Sequence, residues 1–318
     1  MKLLLVDGSA LLHRAYHAYP PLTTKTGEIV GAVYGVASML ISALESERPS
    51  HVLVAWDLPK PTFRHEKYVG YKAQRPKADE EMVTQIPTVK EVIEAMGIAQ
   101  LAVEGYEADD IIGTMATKFS NPKFSNSQIT EVVILTGDQD AMQLVSETVH
   151  VLTPPKGKEP AKVYDPDAVW NKYGVKAEQI VDYKALVGDH SDNIPGVAGI
   201  GPKTAAGLLK QFGTLERVYA ALNSKSQIQN FKLGDQTAQK LIDGKESAWL
   251  SQELSQIVTD MPLSITLEEL VYTDIRTPAF QDMLESLGFR SLVKRLWKET
   301  SHETPSKAKH DTNQMGLF

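Results

Sequence analysis

Through roughly the first 185 residues, short apolar runs alternate with longer stretches whose apolar residues recur at three-and-four spacing. The extended runs are Lys2–Val6, His51–Ala55 and Val132–Leu135, with two further strand candidates at Ala99–Val103 and Val149–Leu152. Between them, Val30–Leu44, Met82–Met96 and Ile111–Phe119 carry the period of amphipathic helices. Strands alternating with helices predict βαβ units, a mostly parallel sheet and an α/β fold class. The periodicity fails over 59–81, where Pro, Lys and aromatics dominate, so that stretch reads as an exposed excursion from the sheet. A second unit is expected over 186–297. It opens with Gly188-Asp-His-Ser-Asp-Asn-Ile-Pro-Gly and continues as short helices separated by Gly196, Gly199, Gly201 and Gly213 to about Asp260. Phe280–Trp297 is helix-like again. Lys298–Asn313 is polar without apolar period, the composition of a disordered tail, and Gln314-Met315-Gly316-Leu317-Phe318 turns abruptly apolar.

Composition narrows the class. The chain has 318 residues, long enough for two packed units plus a tail, and is 42% hydrophobic and 23% charged, as ordinary globular proteins are. It has no cysteine, which removes disulfides, thiolate catalysis and cysteine-bound zinc and fits a reducing cytoplasm. The apolar start ends at Asp7-Gly8, too early for a secretory signal. No stretch approaches the roughly 20 apolar residues of a membrane helix. A cytoplasmic, membrane-free protein is expected.

Three strand candidates end alike. Leu5-Val6 runs into Asp7, Ala55-Trp56 into Asp57, and Leu135-Thr136-Gly137 into Asp138 and Asp140. In an open parallel sheet, ligands bind beyond the carboxyl ends of the strands. Glu107-Ala108-Asp109-Asp110 opens the helix at Ile111–Phe119, and the Glu107/Asp110 spacing puts two carboxylates on one helical face. Asp189 and Asp192 repeat that spacing. Any one of these acids could simply cap a helix. Together, crowded carboxylates repel one another unless cations neutralise them. With no Cys and no histidine pair at ligand spacing, Mg²⁺ or Mn²⁺ suits the site better than Zn²⁺. Two such ions about 4 Å apart could clamp the attacking and leaving oxygens of a phosphoryl displacement.

The formal net charge of −7 looks wrong for a nucleic-acid binder, but setting aside nine such acids turns it to +2. Cations concentrate over 60–77, where Lys60, Arg64, Lys67, Lys72, Arg75 and Lys77 face one acid, Glu66. Phe63-Arg64-His65 and Gly70-Tyr71-Lys72 mix cations with aromatics, a composition that holds phosphates and stacks frayed bases. Gly196–Ala205 superficially suggests a dinucleotide loop, but no strand precedes it and Pro195 and Pro202 interrupt it. A helix–hairpin–helix fits better: Gly199 and Gly201 permit close backbone approach, and the next helix start, with Lys203 and Thr204, grips a phosphate.

Leu5-Val6-Asp7-Gly8, Phe63-Arg64-His65-Glu66, Gly70–Arg75, Gly105-Tyr106-Glu107-Ala108-Asp109-Asp110, Thr136–Asp140 and Gly188–Ala205 occur in order. In this the sequence closely resembles the 5′–3′ exonuclease domain of bacterial DNA polymerase I, within the flap-endonuclease superfamily, over residues 1–297. The resemblance implies a PIN-like core at 1–185 with a helical arch at about 59–97. It also implies a helix-two-turn-helix unit at 186–297 that often holds K⁺. Asp7, Asp57, Glu107, Asp109, Asp110, Asp138, Asp140, Asp189 and Asp192 are then direct or water-mediated metal ligands. Arg14 contacts DNA near the site, Lys72 and Arg75 steer and activate the scissile phosphate, and Arg64 and Tyr71 join the DNA-binding set. Expected substrates are 5′ flaps and 5′ ends, RNA-primed DNA included, in primer removal or repair. Gln139 stands where a Lys is often found between the two acids. The chain ends where a polymerase would continue, so it is either a stand-alone nuclease or a fragment. Gln314, Leu317 and Phe318 have the Gln-x-x-Leu-Phe form of a sliding-clamp peptide, which favours the stand-alone reading. Two rival readings are a non-catalytic junction-binding module and a PIN-type ribonuclease, the latter typically lacking the hairpin unit.

Overall fold

A computed structural model of the chain describes residues 1–120, 128–155, 157, 159–222 and 234–297. The tail at 298–318, with its apolar last five residues, lies outside the described residues. Six strands form one sheet: β1 (Lys2–Asp7), β2 (His51–Ala55), β3 (Ala99–Leu101), β4 (Glu131–Leu135), β5 (Val149–Thr153) and β6 (Lys162–Tyr164). Their order is β3-β2-β1-β4-β5-β6, with the first five parallel and β6 antiparallel on β5. The sheet is thus mostly parallel, as the alternating pattern predicts. β6 escapes the sequence reading because it is a short edge strand with Lys162 and Val163 exposed, so it shows no apolar run.

Register explains why β1 is apolar without a break. Leu4 lies opposite Val52 and Val133, and Leu5 opposite Leu53 and Ile134. The central strand is covered on both faces, so alternation gives way to a continuous apolar run. Leu3, Leu5, Leu53, Val132 and Ile134 face one core, shared with the helix Ala108–Ser120 and with Leu208, Leu209, Leu241 and Ala248 of the later helices. Leu4, Val6, Val52, Val54, Val133 and Leu135 face the other, covered by the helices Gly8–Ala18, Gly31–Glu47 and Ile86–Ala95. Each fully buried leucine contributes roughly 1.5–3 kcal/mol. Phe280, Leu284 and Leu292 of the last two helices join this second core. The two parts of 186–297 therefore lie on opposite faces of the sheet.

The stretch at 59–97 holds three helices, Phe63–Lys67, Glu80–Val83 and Ile86–Ala95. Its middle is only partly an exposed excursion. Residues 73–81 are exposed, whereas Arg64 and Tyr71 are 2% and 3% exposed. Among the described residues, no helix is long and apolar enough to cross a membrane.

Candidate metal and nucleic-acid site

The end of β1 shows how strand-end acids are aimed. The helix Gly8–Ala18 starts immediately after Asp7, and Ala10 N donates to Asp7 Oδ1 at 2.8 Å. Gly8 makes the turn possible, because a Cβ there would meet Val54 Cγ1 at 2.8 Å and the Trp56 ring at 2.9 Å. Asp57 Oδ1 accepts Ala108 N at 2.8 Å at the start of the helix Ala108–Ser120. Thr136, fully buried, donates its hydroxyl to Asp7 Oδ2 at 2.8 Å and accepts from Asp138 N at 3.0 Å. Asp138 Oδ1 in turn accepts Asp140 N at 2.9 Å. Helix capping and site building are therefore not alternatives. A carboxylate has about four lone-pair sites, so one backbone contact orients it and leaves others open.

Of these acids Asp7, Asp57 and Asp138 meet in one cleft of about 710 Å³ beyond the strand ends, and Asp140 does not line it. Asp7, Asp57, Glu107, Asp109 and Asp138 line it, and Arg14, Lys72 and Arg75 stand on its rim. Burial, with Asp57 beside it, pushes Asp7 up to about 7. Burial and then Asp138, Asp7 and Asp57 hold Asp109 well above the ordinary carboxylate range. Burial also raises Asp138, with Lys184 opposing the shift. Asp109 Oδ1 is buried with no hydrogen-bond partner. An all-oxygen donor set, mutual repulsion and an orphaned carboxylate oxygen fit a hard divalent cation. Among the described residues no three acids or histidines close around a single point.

The nine predicted acids do not all face the cleft, and the exceptions are informative. Asp110 is fully buried, and both its oxygens take Arg64, Nη1 to Oδ2 and Nη2 to Oδ1, each at 2.8 Å. Glu107 N and Val258 N fill the remaining lone pairs at 3.1 and 2.9 Å. In this structure all four lone-pair sites of Asp110 are met by donors of the protein itself. Arg64 also donates Nε to Leu254 O and Nη2 to Gln256 O, so four of its five N–H groups are taken within the protein and its side chain is buried. Tyr71 is 3% exposed, with its hydroxyl donating to Glu107 Oε2 at 3.0 Å and lying 3.2 Å from Asp192 Oδ2. Burial and those two acids hold the phenol protonated.

Asp140 and Asp189 share Lys184, a buried cation in the helix Ile180–Val187. Burial opposes ionisation of Asp189, yet Lys184 and Ser191 bring it down to about 2. Asp192 is tied to Arg75 and lies 3.8 Å from Lys72 Nζ, which donates to Glu107 at 3.0 Å. Arg14 lines the cleft and donates Nε to Pro155 O at 3.1 Å. Gly199 takes a left-handed backbone (φ 76°) and Gly201 precedes the helix Pro202–Phe212. Lys203 is exposed and Thr204 half-buried in that helix's first turn.

Sequence reasoning missed Thr136, Lys184 and the cleft wall formed by His13, Tyr16 and His17. Lys184 had a signal: it is the one cation inside the apolar run Ile180–Val187. A larger cleft of about 900 Å³, lined by Gln143, Trp170, Asp182 and Gln252 among others, contains none of the strand-end acids.

Residues 2–174 match the family of 5′-3′ exonuclease N-terminal resolvase-like domains, and 175–278 that of the 5′-3′ exonuclease C-terminal SAM fold. DNA polymerase I of Bacillus subtilis (strain 168) is 38% identical over 312 residues, 98% of this chain and 34% of the relative. The thermostable DNA polymerase I of Thermus aquaticus is 40% identical over 293 residues, 92% of this chain and 32% of the relative. The chain thus spans about a third of the length of these curated relatives. Among solved structures, the T5 D15 protein co-crystallized with metal ions has a TM-score of 0.65 at 20% identity, covering 90% of this chain and all of that one. The catalytic core of Rad2 in complex with DNA substrate has a TM-score of 0.56 at 16% identity, covering 94% of this chain and 88% of that one. At these identities the likeness is one of fold.

Proposed function

The chain belongs to the 5′-3′ exonuclease family, and from that premise we propose that it is a metal-dependent, structure-specific 5′ nuclease. Its substrates are 5′-flap and 5′-ended DNA, RNA-primed ends included, met in the cytoplasm during primer removal or repair. One observation carries the reading. Five carboxylates without a full set of protein cations line a single cleft whose rim bears Arg14, Lys72 and Arg75. The fold shared with the T5 D15 protein, which crystallises with metal ions, and with a Rad2 core bound to a DNA substrate is consistent with it.

Asp7, Asp57, Glu107, Asp109 and Asp138 would hold the ions, Mg²⁺ or Mn²⁺. Asp140, Asp189 and Asp192 can join only where Lys184, Lys72 and Arg75 release them. Bound divalent ions supply charge that activates water and offsets the charge developing on the phosphate. Lys72 and Arg75 bind and orient the scissile phosphate, as paired cations at a cleft mouth do. Arg14, which donates to Pro155 O, presents a further cation to the same strand. The hairpin at Gly199–Thr204 holds the duplex backbone through helix-start N–H groups and Lys203, with K⁺ as an added ligand there.

Incubating the chain with a labelled 5′-flap DNA and Mg²⁺ should give incision near the junction. A chelator should abolish it, and Asp138→Asn should lower the rate at least about 100-fold. Binding without incision would leave the junction-binding module, and cleavage of RNA alone the PIN-type ribonuclease. The sliding clamp is a separate proposed partner through Gln314, Leu317 and Phe318. Deleting 314–318 should abolish clamp binding with basal incision intact, and unchanged clamp affinity would discard the motif.

A further inference from the structure

The turn that carries Lys72 and Arg75 is held from outside its own segment. Lys72 sits in the left-handed region (φ 54°), a conformation that a non-glycine residue keeps only when its surroundings impose it. Those surroundings are the loop Gly188–Gly196. Lys72 N donates to Asp192 O at 2.9 Å. Gln74 Nε2 donates to His190 O at 2.7 Å, and Arg75 Nε to Ser191 O at 3.2 Å. One bond runs the other way, from Asn193 Nδ2 to Gly70 O at 2.7 Å. Asn193 is itself left-handed (φ 56°), a conformation that Asn tolerates better than most residues. Next to it, Ile194 packs with Tyr71 and Leu254 in a small apolar cluster. The loop is rigid in its turn. Asp189 and Ile194 exchange backbone hydrogen bonds at 2.9 and 2.8 Å. Gly196 is gripped through its N–H by Ser251 at 2.9 Å and through its carbonyl by Ser247 at 2.7 Å.

We propose that Asn193 is a positioning residue for the phosphate-steering turn: its amide, by holding the Gly70 carbonyl, sets Lys72 and Arg75 over the acidic cleft. This rests on the nuclease reading above and adds a residue to it. The argument is geometric. Lys72 and Arg75 reach the cleft from the strained turn Gly70–Arg75; within it Ala73 N donates to Gly70 O at 3.1 Å and Arg75 N to Lys72 O at 3.0 Å, and the hydrogen bonds named above tie it to one loop. Asn193 is the residue of that loop whose side chain donates into the turn. Gly70 O takes one donor from its own turn, Ala73 N, and a second from the loop, the Asn193 amide; Asp at 193 would set an anion against that carbonyl, and Gly would keep the left-handed backbone while losing the amide. Lost support that shifts the turn by about 1 Å reduces catalysis by one to two orders of magnitude while leaving distant DNA contacts unchanged.

The test compares Asn193→Gly, Asn193→Asp and the unaltered full chain, with two readouts. In the metal-free, DNA-free protein, hydrogen exchange at the Lys72 and Arg75 amides should accelerate at least tenfold in both variants. Exchange in the helix Lys245–Ser255 should stay as it was. In flap-DNA turnover with Mg²⁺, kcat should fall roughly tenfold or more while KM changes less than about twofold. Unchanged exchange at 70–75 in Asn193→Gly overturns the proposal, and so does faster exchange with unchanged kcat. A rise in KM alone overturns it too, making Asn193 a DNA contact. An unaltered chain inert on every flap overturns the nuclease reading, a result distinct from an active chain indifferent to residue 193.

Discussion

Two sets of acids in this molecule have the same residue type and opposite circumstances. Asp110 and Asp189 each have a protein cation against them, Arg64 and Lys184. Asp7 and Asp109 have mainly one another, Asp57 and Asp138. The first pair is neutralised from within the protein, and the second is left to repel its neighbours. The difference teaches that burial of a carboxylate says nothing about its role until the nearest cation is found. In the compensated set the chain supplies its own counter-ion; in the cleft it withholds one.

The comparison breaks first if Asp110 proves dispensable. Asp110→Ala strands the Arg64 guanidinium in a dry interior and should destabilise the chain by about 3–5 kcal/mol. Urea melts measure this, and a loss below about 1 kcal/mol would erase the distinction. Replacing both partners, Arg64→Met with Asp110→Leu, should recover much of the loss. Asp109→Asn is expected to act in the opposite sense. It removes a repelling charge, so the metal-free chain should melt no lower, while incision falls at least about 100-fold.

pH should separate the two sets next. Asp7 is raised to about 7 from 3.8, so between those values the folded chain keeps a proton that the unfolded chain has released. Stability of the metal-free chain should therefore decline as pH rises from 4 to 7 on this account, on the order of 5 °C in Tm, and Mg²⁺ should restore it increasingly over the same range. Asp189 is lowered to about 2, so its contribution is present above 3.8 and is lost as pH falls toward 2. Calorimetry across pH 2–8, with and without Mg²⁺, checks both limbs. A Mg²⁺ effect independent of pH would contradict the first. The smallest effect belongs to the exposed pair Lys67–Glu253, 2.8 Å apart with both side chains about half exposed. Lys67→Ala should change stability by no more than about 0.5 kcal/mol.

Much of the fold was legible because β1, β2 and β4 are buried on both faces and so announce themselves as unbroken apolar runs. Their acidic ends were legible for the same reason: the apolar run stops where the chain leaves the sheet. What the sequence hides is pairing at a distance. Arg64 and Asp110 stand 46 positions apart, and no local pattern distinguishes that acid from Asp109 beside it. Arg64 and Tyr71 sit in a stretch whose composition says surface, yet tertiary contacts with Leu254, Glu107 and Asp192 bury them. Lys184 looked like one charge in a helix; only its approach to Asp140 and Asp189 reveals it as a bridge.

Phe280 lies two residues beyond the last position matched by the exonuclease families, yet its ring is fully enclosed beside Trp297 within the second core, in a helix that packs on Ile86–Ala95. Anyone excising this unit for use elsewhere at residue 278 would remove a plug and leave an open greasy socket beside the helix Ile86–Ala95. Such a shortened protein should come out of cells clumped and respond to dyes that seek exposed oil, whereas one cut after 297 should not.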